Sequence, residues 1–227
     1  MKKIYEKLKG LLGSNQMSSR QKRINPPTTT WQKNPGWDPD YIKLFGKPKT
    51  VIDVGVADGT PELYAAFPSA YHVLIDPLPA HEEAMKGHLE SYRGEYHITA
   101  VGSENGEKAI NVELDSLARS SFAERTKASR SDSDTTVQEV KIKTLDSLLS
   151  EQNYDTPFLL KIDTEGFELE VIRGAKRTLE KTHFVIAEVS VVQRFKNGYQ
   201  FADFIQEMDS NNLRLYDILR VVRKPSI

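Results

Sequence analysis

The chain has 227 residues, a net charge of −1, 38% hydrophobic and 28% charged residues, and no cysteine. That length and mix suit one soluble domain with a tail, or two small domains, with enough chain for a sizeable core. The near-zero charge speaks against a whole-molecule electrostatic nucleic-acid binder. The missing cysteines exclude disulfides, thiolate zinc, iron–sulfur clusters and a thiol nucleophile, and no run is long and apolar enough to span a bilayer.

The first thirty residues stand apart. Lys2, Lys3, Lys7, Lys9, Arg20, Lys22 and Arg23 face Glu6 alone, so this segment carries +6 and the remainder −7. Ile4, Tyr5, Leu8, Leu11 and Leu12 recur at helical spacing, which predicts a short basic amphipathic helix over residues 1–12. Gly13-Ser14-Asn15-Gln16 ends it, and a polar linker runs to Thr30. Lysines break up its apolar residues, so it does not read as a signal peptide. It is either a weak peripheral membrane or partner contact, or a helix packed on its own domain. A single folded domain is expected over residues 31–227. Its opening stretch, Trp31 to Pro48, is rich in Pro, Gly and aromatics and suits a lid or irregular packing.

From Thr50 short apolar runs alternate with amphipathic ones. Strands are expected at residues 51–54, 71–75, 96–101, 157–162, 184–189 and 213–219. Helices are expected at 61–67, opened by Pro61, and at 80–92, 145–152, 168–180 and 199–208. Residues 107–114 and 137–143 read as two further strands forming a hairpin insertion, and Ser129 to Thr136 as an exposed loop. This alternation implies a doubly wound, mostly parallel α/β sheet. Ligands in such sheets sit at the carboxyl ends of the strands, so the residues just after each strand carry the search for chemistry.

After the first strand stands Asp53-Val54-Gly55-Val56-Ala57-Asp58-Gly59-Thr60. Gly55 and Gly59 permit a tight turn and close backbone approach. The spacing is not G-x-G-x-x-G, and an acid before the glycine suits a cationic or amine-bearing ligand better than a phosphate. A purely structural turn is the competing reading. Asp76 follows the second strand about 20 residues on, where an acid can accept both ribose hydroxyls of a nucleoside; an ordinary capping aspartate is the alternative. Together they suggest a nucleoside cofactor without a pyrophosphate, which fits S-adenosylmethionine. Val101, in Ala100-Val101-Gly102-Ser103, is placed to flank an adenine. After the fourth main strand Asp163 and Glu165 stand beside Lys161, a grouping that is costly in a cleft unless used or paired. Glu168 and Glu170 fall in a helix's first turn, where acids suit the macrodipole. Glu188 interrupts an apolar run and wants a lysine, a substrate hydroxyl or a metal as partner. The five histidines, His72, His81, His88, His97 and His183, show no metal-ligand spacing; His81 or His88 could face the site, but the preferred reading places each at the surface.

The run Leu160-Lys161-Ile162-Asp163-Thr164-Glu165-Gly166-Phe167-Glu168-Leu169-Glu170-Val171-Ile172-Arg173-Gly174-Ala175 resembles the K-I-D-x-E-G-x-E-x-x-V-L-x-G-A signature of the FkbM family of S-adenosylmethionine-dependent methyltransferases. Thr144-Leu145-Asp146, Ser120-Ser121 and Glu188 resemble further family features, and the likeness runs from about Thr50 to Val189. Three features depart from it. Val56-Ala57 stands for a common Ala-Asn, and Asp76-Pro77 for a common Glu-Pro. A class I methyltransferase sheet has seven strands with a C-terminal antiparallel hairpin, and here only Arg220 to Ile227 follow the strand at 213–219, so that hairpin is incomplete or very short.

The resemblance implies O-methylation of a small-molecule or glycan hydroxyl. Asp53, Gly55, Asp58, Gly59, Thr60, Asp76 and Val101 are expected to hold the cofactor. Asp163 or Glu165 is expected to act as base with Lys161 orienting it, and Glu188 and Ser121 to meet substrate. A divalent metal on Asp163 and Glu188 would lower the acceptor's pKa directly, but no decisive ligand set is present and no metal is predicted. Methylation of nucleic acid is disfavoured by the acidic folded part and the lack of an Asn/Asp-Pro-Pro-aromatic motif. A catalytically silent module of the same fold remains a rival, whereas a nicotinamide dehydrogenase lacks its glycine fingerprint. A cytoplasmic location is expected, and the oligomeric state is left open.

Overall fold

A strand central to a parallel sheet must be buried on both faces, and Thr50–Val54 (β1) is buried at every position. The computed structural model describes residues 36–127, 129 and 134–222. In it β1 lies between β2 (Tyr71–Asp76) and β7 (Phe158–Ile162), with β3 (Gly94–Ile98) and β8 (Thr182–Ala187) outside them. The order is β3-β2-β1-β7-β8, and every pairing is parallel. This is the expected doubly wound, Rossmann-like sheet.

Side-chain alternation divides the core in two. Ile52, Val54, Val73, Ile75, Leu160 and Ile162 face α4 (Leu145–Leu148), α5 (Glu168–Arg173), α6 (Lys176–Leu179) and α7 (Phe201–Ser210). Val51, Leu74 and Leu159 face α1 (Pro39–Ile42), α2 (Pro61–Ala66) and α3 (Glu82–Leu89). Pro61 opens α2 at the position where its missing N–H costs nothing. A reciprocal box opens α7, where the Gln200 amide donates to Asp203 Oδ2 at 2.8 Å. Ile42 and Phe45 are buried in the core, so the described part of the 31–48 stretch packs against the sheet. The basic segment 1–12 and its linker lie outside the described residues.

Four expectations are corrected. The strand expected at 96–101 breaks at Thr99. Its amide still donates to Asp76 O of the main sheet at 3.0 Å, while its hydroxyl donates to Lys141 O at 3.1 Å. The chain there leaves for a second sheet, in which β4 (Ala100–Val101) and β5 (Gly106–Glu113) flank β6 (Thr135–Lys143). The hairpin insertion is therefore real, and it is wider than its own two strands. Second, the helix expected at 168–180 breaks at Gly174-Ala175. A Cβ on Gly174 would lie 1.9 Å from Gly102 O, so the helix ends where it meets the exit from β4. Third, Ser129 is buried, with its hydroxyl within bonding distance of Arg194 O and Thr126 O, and β6 begins at Thr135. The part of that loop at 130–133 lies outside the described residues.

Fourth, residues 213–219 form no strand, and among the described residues none follows β8. Tyr216 sets its ring edge-on to Phe45 and Phe184, and Asp217 accepts from the Tyr41 hydroxyl. Leu215, Tyr216 and Ile218 stay 41–59% exposed. The segment is tied down by side chains, without a sheet face to cover that would fix a ladder. Among the described residues no helix is long and apolar enough to cross a membrane.

Candidate active site

Register explains the centre of the site. Asp53 of β1 and Lys161 of β7 are direct cross-strand partners on one face of the sheet. Both are buried, and the Lys161 ammonium lies 3.0 Å from Asp53 Oδ1, 3.8 Å from Asp163 Oδ2 and 2.7 Å from Gly55 O. Burial works against the Lys161 charge, yet Asp53 and Asp163 hold its pKa above the ordinary lysine value. Asp53 Oδ2 also accepts from the Tyr64 hydroxyl at 2.7 Å and the Thr60 hydroxyl at 2.9 Å. Asp53 and Thr60 therefore hold the glycine turn from inside. Both side chains are engaged within the protein by these contacts.

The turn itself is pinned from both sides. Gly55 has φ +79°, its amide donates to Ile75 O at 2.9 Å, and a Cβ on it would lie 1.8 Å from Asp163 O. Gly55→Ala is expected to be strongly destabilising. The left-handed backbone alone costs about 1–2 kcal/mol, and the clash with the Asp163 carbonyl adds to it. A urea midpoint equal to that of the native chain would contradict this packing. Gly59 closes the turn, donating to Val56 O at 2.7 Å, and the exposed Asp58 offers its carbonyl to His88 Nε2 at 2.8 Å.

Asp76 ends β2 and points back at this turn. Its Oδ2 accepts from the Ala57 amide at 3.0 Å, and its Oδ1 from the Leu78 amide at 2.9 Å and from His81 Nδ1 at 2.8 Å. His81, in the single turn Pro79–His81 that leads into α3, is buried and not at the surface. The hydrogen bond it donates to Asp76 raises its pKa, against the effect of burial. Val101 is buried in the core beside Leu145, and the chain first becomes exposed after it at Ser103.

The turn after β7 carries the exposed chemistry. Asp163 keeps its side chain 35% exposed. Burial raises its pKa, Lys161 lowers it, and Glu188, Glu165 and Asp53 raise it further, to about 6. Glu165 behaves differently. It sits at φ +50°, and its Oε2 accepts from Arg125 at 3.0 Å and Arg194 at 2.8 Å. With two guanidiniums on it, Glu165 is an anchor, which leaves Asp163 as the base candidate. Ser121 Oγ donates to Glu165 O at 2.6 Å and is buried, so it fixes the turn and does not present itself to substrate. Glu188 is 59% exposed, with Arg194 Nη1 at 3.6 Å, and remains reachable by an acceptor.

Sequence reasoning missed three contributors. Glu168 is buried, and its Oε1 accepts from the Thr164 and Gly166 amides, both at 3.0 Å, while Oε2 accepts from the Tyr199 hydroxyl. It caps the turn that precedes its own helix. Arg125 and Arg194 come from loops about 70 residues apart and bind one carboxylate oxygen, which no local spacing announces. Those loops are also paired through their backbones, Thr126 N to Arg194 O at 2.8 Å and Lys196 N to Glu124 O at 2.7 Å. Among the described residues no three His, Asp or Glu side chains gather as a metal site.

Beside this turn an open pocket of ≈ 1010 Å³ runs between the start of β5, α5 and α7. Phe122, Phe167 and Tyr199 give it aromatic surface, and the first two rings lie 4.7 Å apart. Its walls hold more acids than bases, among them Glu104, Glu107 and Asp203 against Lys108 and Arg173.

The model of the methyltransferase FkbM domain matches residues 53–215 of the chain. No curated protein matches it. Among solved structures, methyltransferase FkbM from Methylobacillus flagellatus KT is similar at 18% identity and a TM-score of 0.38. That match covers 59% of this chain and 30% of the other.

Proposed function

The chain belongs to the FkbM methyltransferase domain family, and from that membership we propose that it transfers a methyl group from S-adenosylmethionine to a hydroxyl of a saccharide or related natural product. The observation that carries the reading is Asp163. It is a partly exposed carboxylate with a pKa raised to about 6, held beside Lys161 at the carboxyl end of β7 and in contact with the glycine turn.

The residues present suit such a cofactor. Acids predominate around the carboxyl ends. The one lysine at the glycine turn, Lys161, is committed to Asp53 and Gly55 O and is not free for a pyrophosphate. Asp76 would meet the ribose, and Gly102-Ser103 the base. When bound, S-adenosylmethionine supplies the methyl as a sulfonium electrophile and leaves as a neutral thioether. Asp163 accepts the acceptor's hydroxyl proton as the new O–C bond forms and later releases it to water. Lys161 keeps that carboxylate oriented, and Glu188 accepts a hydrogen bond from a neighbouring hydroxyl. A carboxylate is a weak base for an alcohol, so holding donor and acceptor at attack distance does much of the work.

The open pocket next to the turn suits a polyhydroxylated chain, although neither Asp163 nor Glu188 lines it. Aromatic faces suit the C–H faces of a sugar ring, and exposed carboxylates accept from hydroxyls. The excess of acids disfavours phosphorylated acceptors.

The first test is the thermal midpoint with and without S-adenosylhomocysteine. At about 100 times its dissociation constant a ligand adds about 2.7 kcal/mol, a rise of roughly 5–10 °C for a domain of this size. The rise should vanish in Asp76→Ala. No rise in the native chain would favour a catalytically silent module. Transfer of labelled methyl to oligonucleotides but not to hydroxylated sugars would favour the nucleic-acid reading.

A further inference from the structure

Asp76 has less capacity than its position suggests. An ionised carboxylate only accepts, and has about four acceptor sites, two on each oxygen. Leu78 N and His81 Nδ1 fill both sites on Oδ1, and Ala57 N fills one on Oδ2. Among the described residues one site remains, on Oδ2. Because the carboxylate cannot donate, Nδ1 of His81 must carry the hydrogen. The His81 side chain is 7% exposed and that of Asp76 6%, so water does not compete for this bond as it would at a surface. The two amides come from backbone that the glycine turn and the β2 exit hold in place, which leaves His81 as the one donor on Asp76 that the chain could replace without moving its backbone.

We propose that His81 is a specificity-determining residue which, by occupying Oδ1 of Asp76, limits the acid at the end of β2 to a single ribose hydroxyl of the cofactor. This rests on the reading of Asp76 as the ribose acceptor. An acid free on both oxygens would hold the two hydroxyls alike; here recognition is one-sided. His81 touches no cofactor atom itself and acts through the carboxylate.

Calorimetric titration tests this with S-adenosylhomocysteine and its 2′-deoxy and 3′-deoxy ribose analogues. In the native chain, losing one hydroxyl should weaken binding roughly 10–100-fold, the worth of a hydrogen bond to a charged group, and losing the other less than about threefold. In His81→Ala the freed site on Oδ1 lets both hydroxyls count, so the two analogues should weaken binding to a similar degree. In His81→Asn the side-chain amide refills the site and should restore the one-sided pattern. A merely structural histidine would lower the apo thermal midpoint and leave the ratio of the two analogues unchanged. Equal losses in the native chain, no loss with either analogue, or an unchanged ratio in His81→Ala overturns the proposal. If His81→Ala fails to fold, His81→Leu, which removes the donor while keeping most of the buried volume, is read against the same two analogues, and an unchanged ratio there overturns the proposal equally. A native chain that binds S-adenosylhomocysteine not at all removes the cofactor reading itself, a distinct outcome that takes this inference with it.

Discussion

Asp163→Asn is expected to lower the methyl-transfer rate roughly 10²–10⁴-fold, the usual worth of a general base, with S-adenosylhomocysteine affinity unchanged. The substitution keeps the shape of the side chain and removes only its capacity to take a proton. The native chain should lose activity as the pH falls through about 6, where Asp163 is protonated. Stability runs the other way. The folded-state pKa lies above the ordinary 3.8, so the stability tied to this group is fully present below that value and is lost as the pH rises through about 6. The Asn variant should therefore show a flatter stability curve across that window. A variant that keeps most of its rate, with its acid limb in place, would remove Asp163 from the mechanism and return attention to Glu188.

The largest loss of stability is expected at Lys161→Met. Breaking a buried pair by removing one partner costs about 3–5 kcal/mol, because the other charge is left uncompensated. Here that charge is Asp53, which is 0% exposed, and the Gly55 carbonyl loses its donor in the same step. For a domain of this size the fall in midpoint should be roughly 6–20 °C. Adding Asp53→Asn removes the stranded charge, so the double variant should recover part of the loss. Single and double variants that melt together with the native chain would mean that the pair is not the support of the glycine turn that its distances indicate.

These two residues mark what the sequence made legible. The strands β1, β2 and β7 and the acids after them could be placed because burial on both faces leaves continuous apolar runs, and a charge inside such a run stands out. Lys161 and Asp53 stood out in that way, although only the register of β1 against β7 shows that they pair. Asp163 and Glu165 looked equivalent, two carboxylates two residues apart. What separates them is Arg125 and Arg194, which reach Glu165 from distant loops. His81 and Glu168 were misjudged for the same reason. Local spacing reports which face of an element a residue lies on, whereas a polar side chain at the start of a helix owes its burial to whatever the rest of the chain folds over it. Residues 213–219 show the converse. Their apolar content suits a strand, but a strand also needs a neighbour to pair with and a face to cover.

The two loops tied across Glu165 have a consequence for the order in which the molecule assembles. Their backbone bonds join residues some 70 positions apart, and both guanidiniums need the turn after β7 already formed before they have a carboxylate to grip. That turn in its own right needs β7 paired with β1, a closure between Thr50 and Phe158, so the guanidiniums fasten only after the sheet has closed. The two loops are also irregular, partly exposed backbone, the kind that opens first when a protein is warmed. A chain can therefore hold its full complement of strands and helices while its reactive turn is still unfastened. Helical content is expected to outlast the fastening of this turn when the protein is warmed.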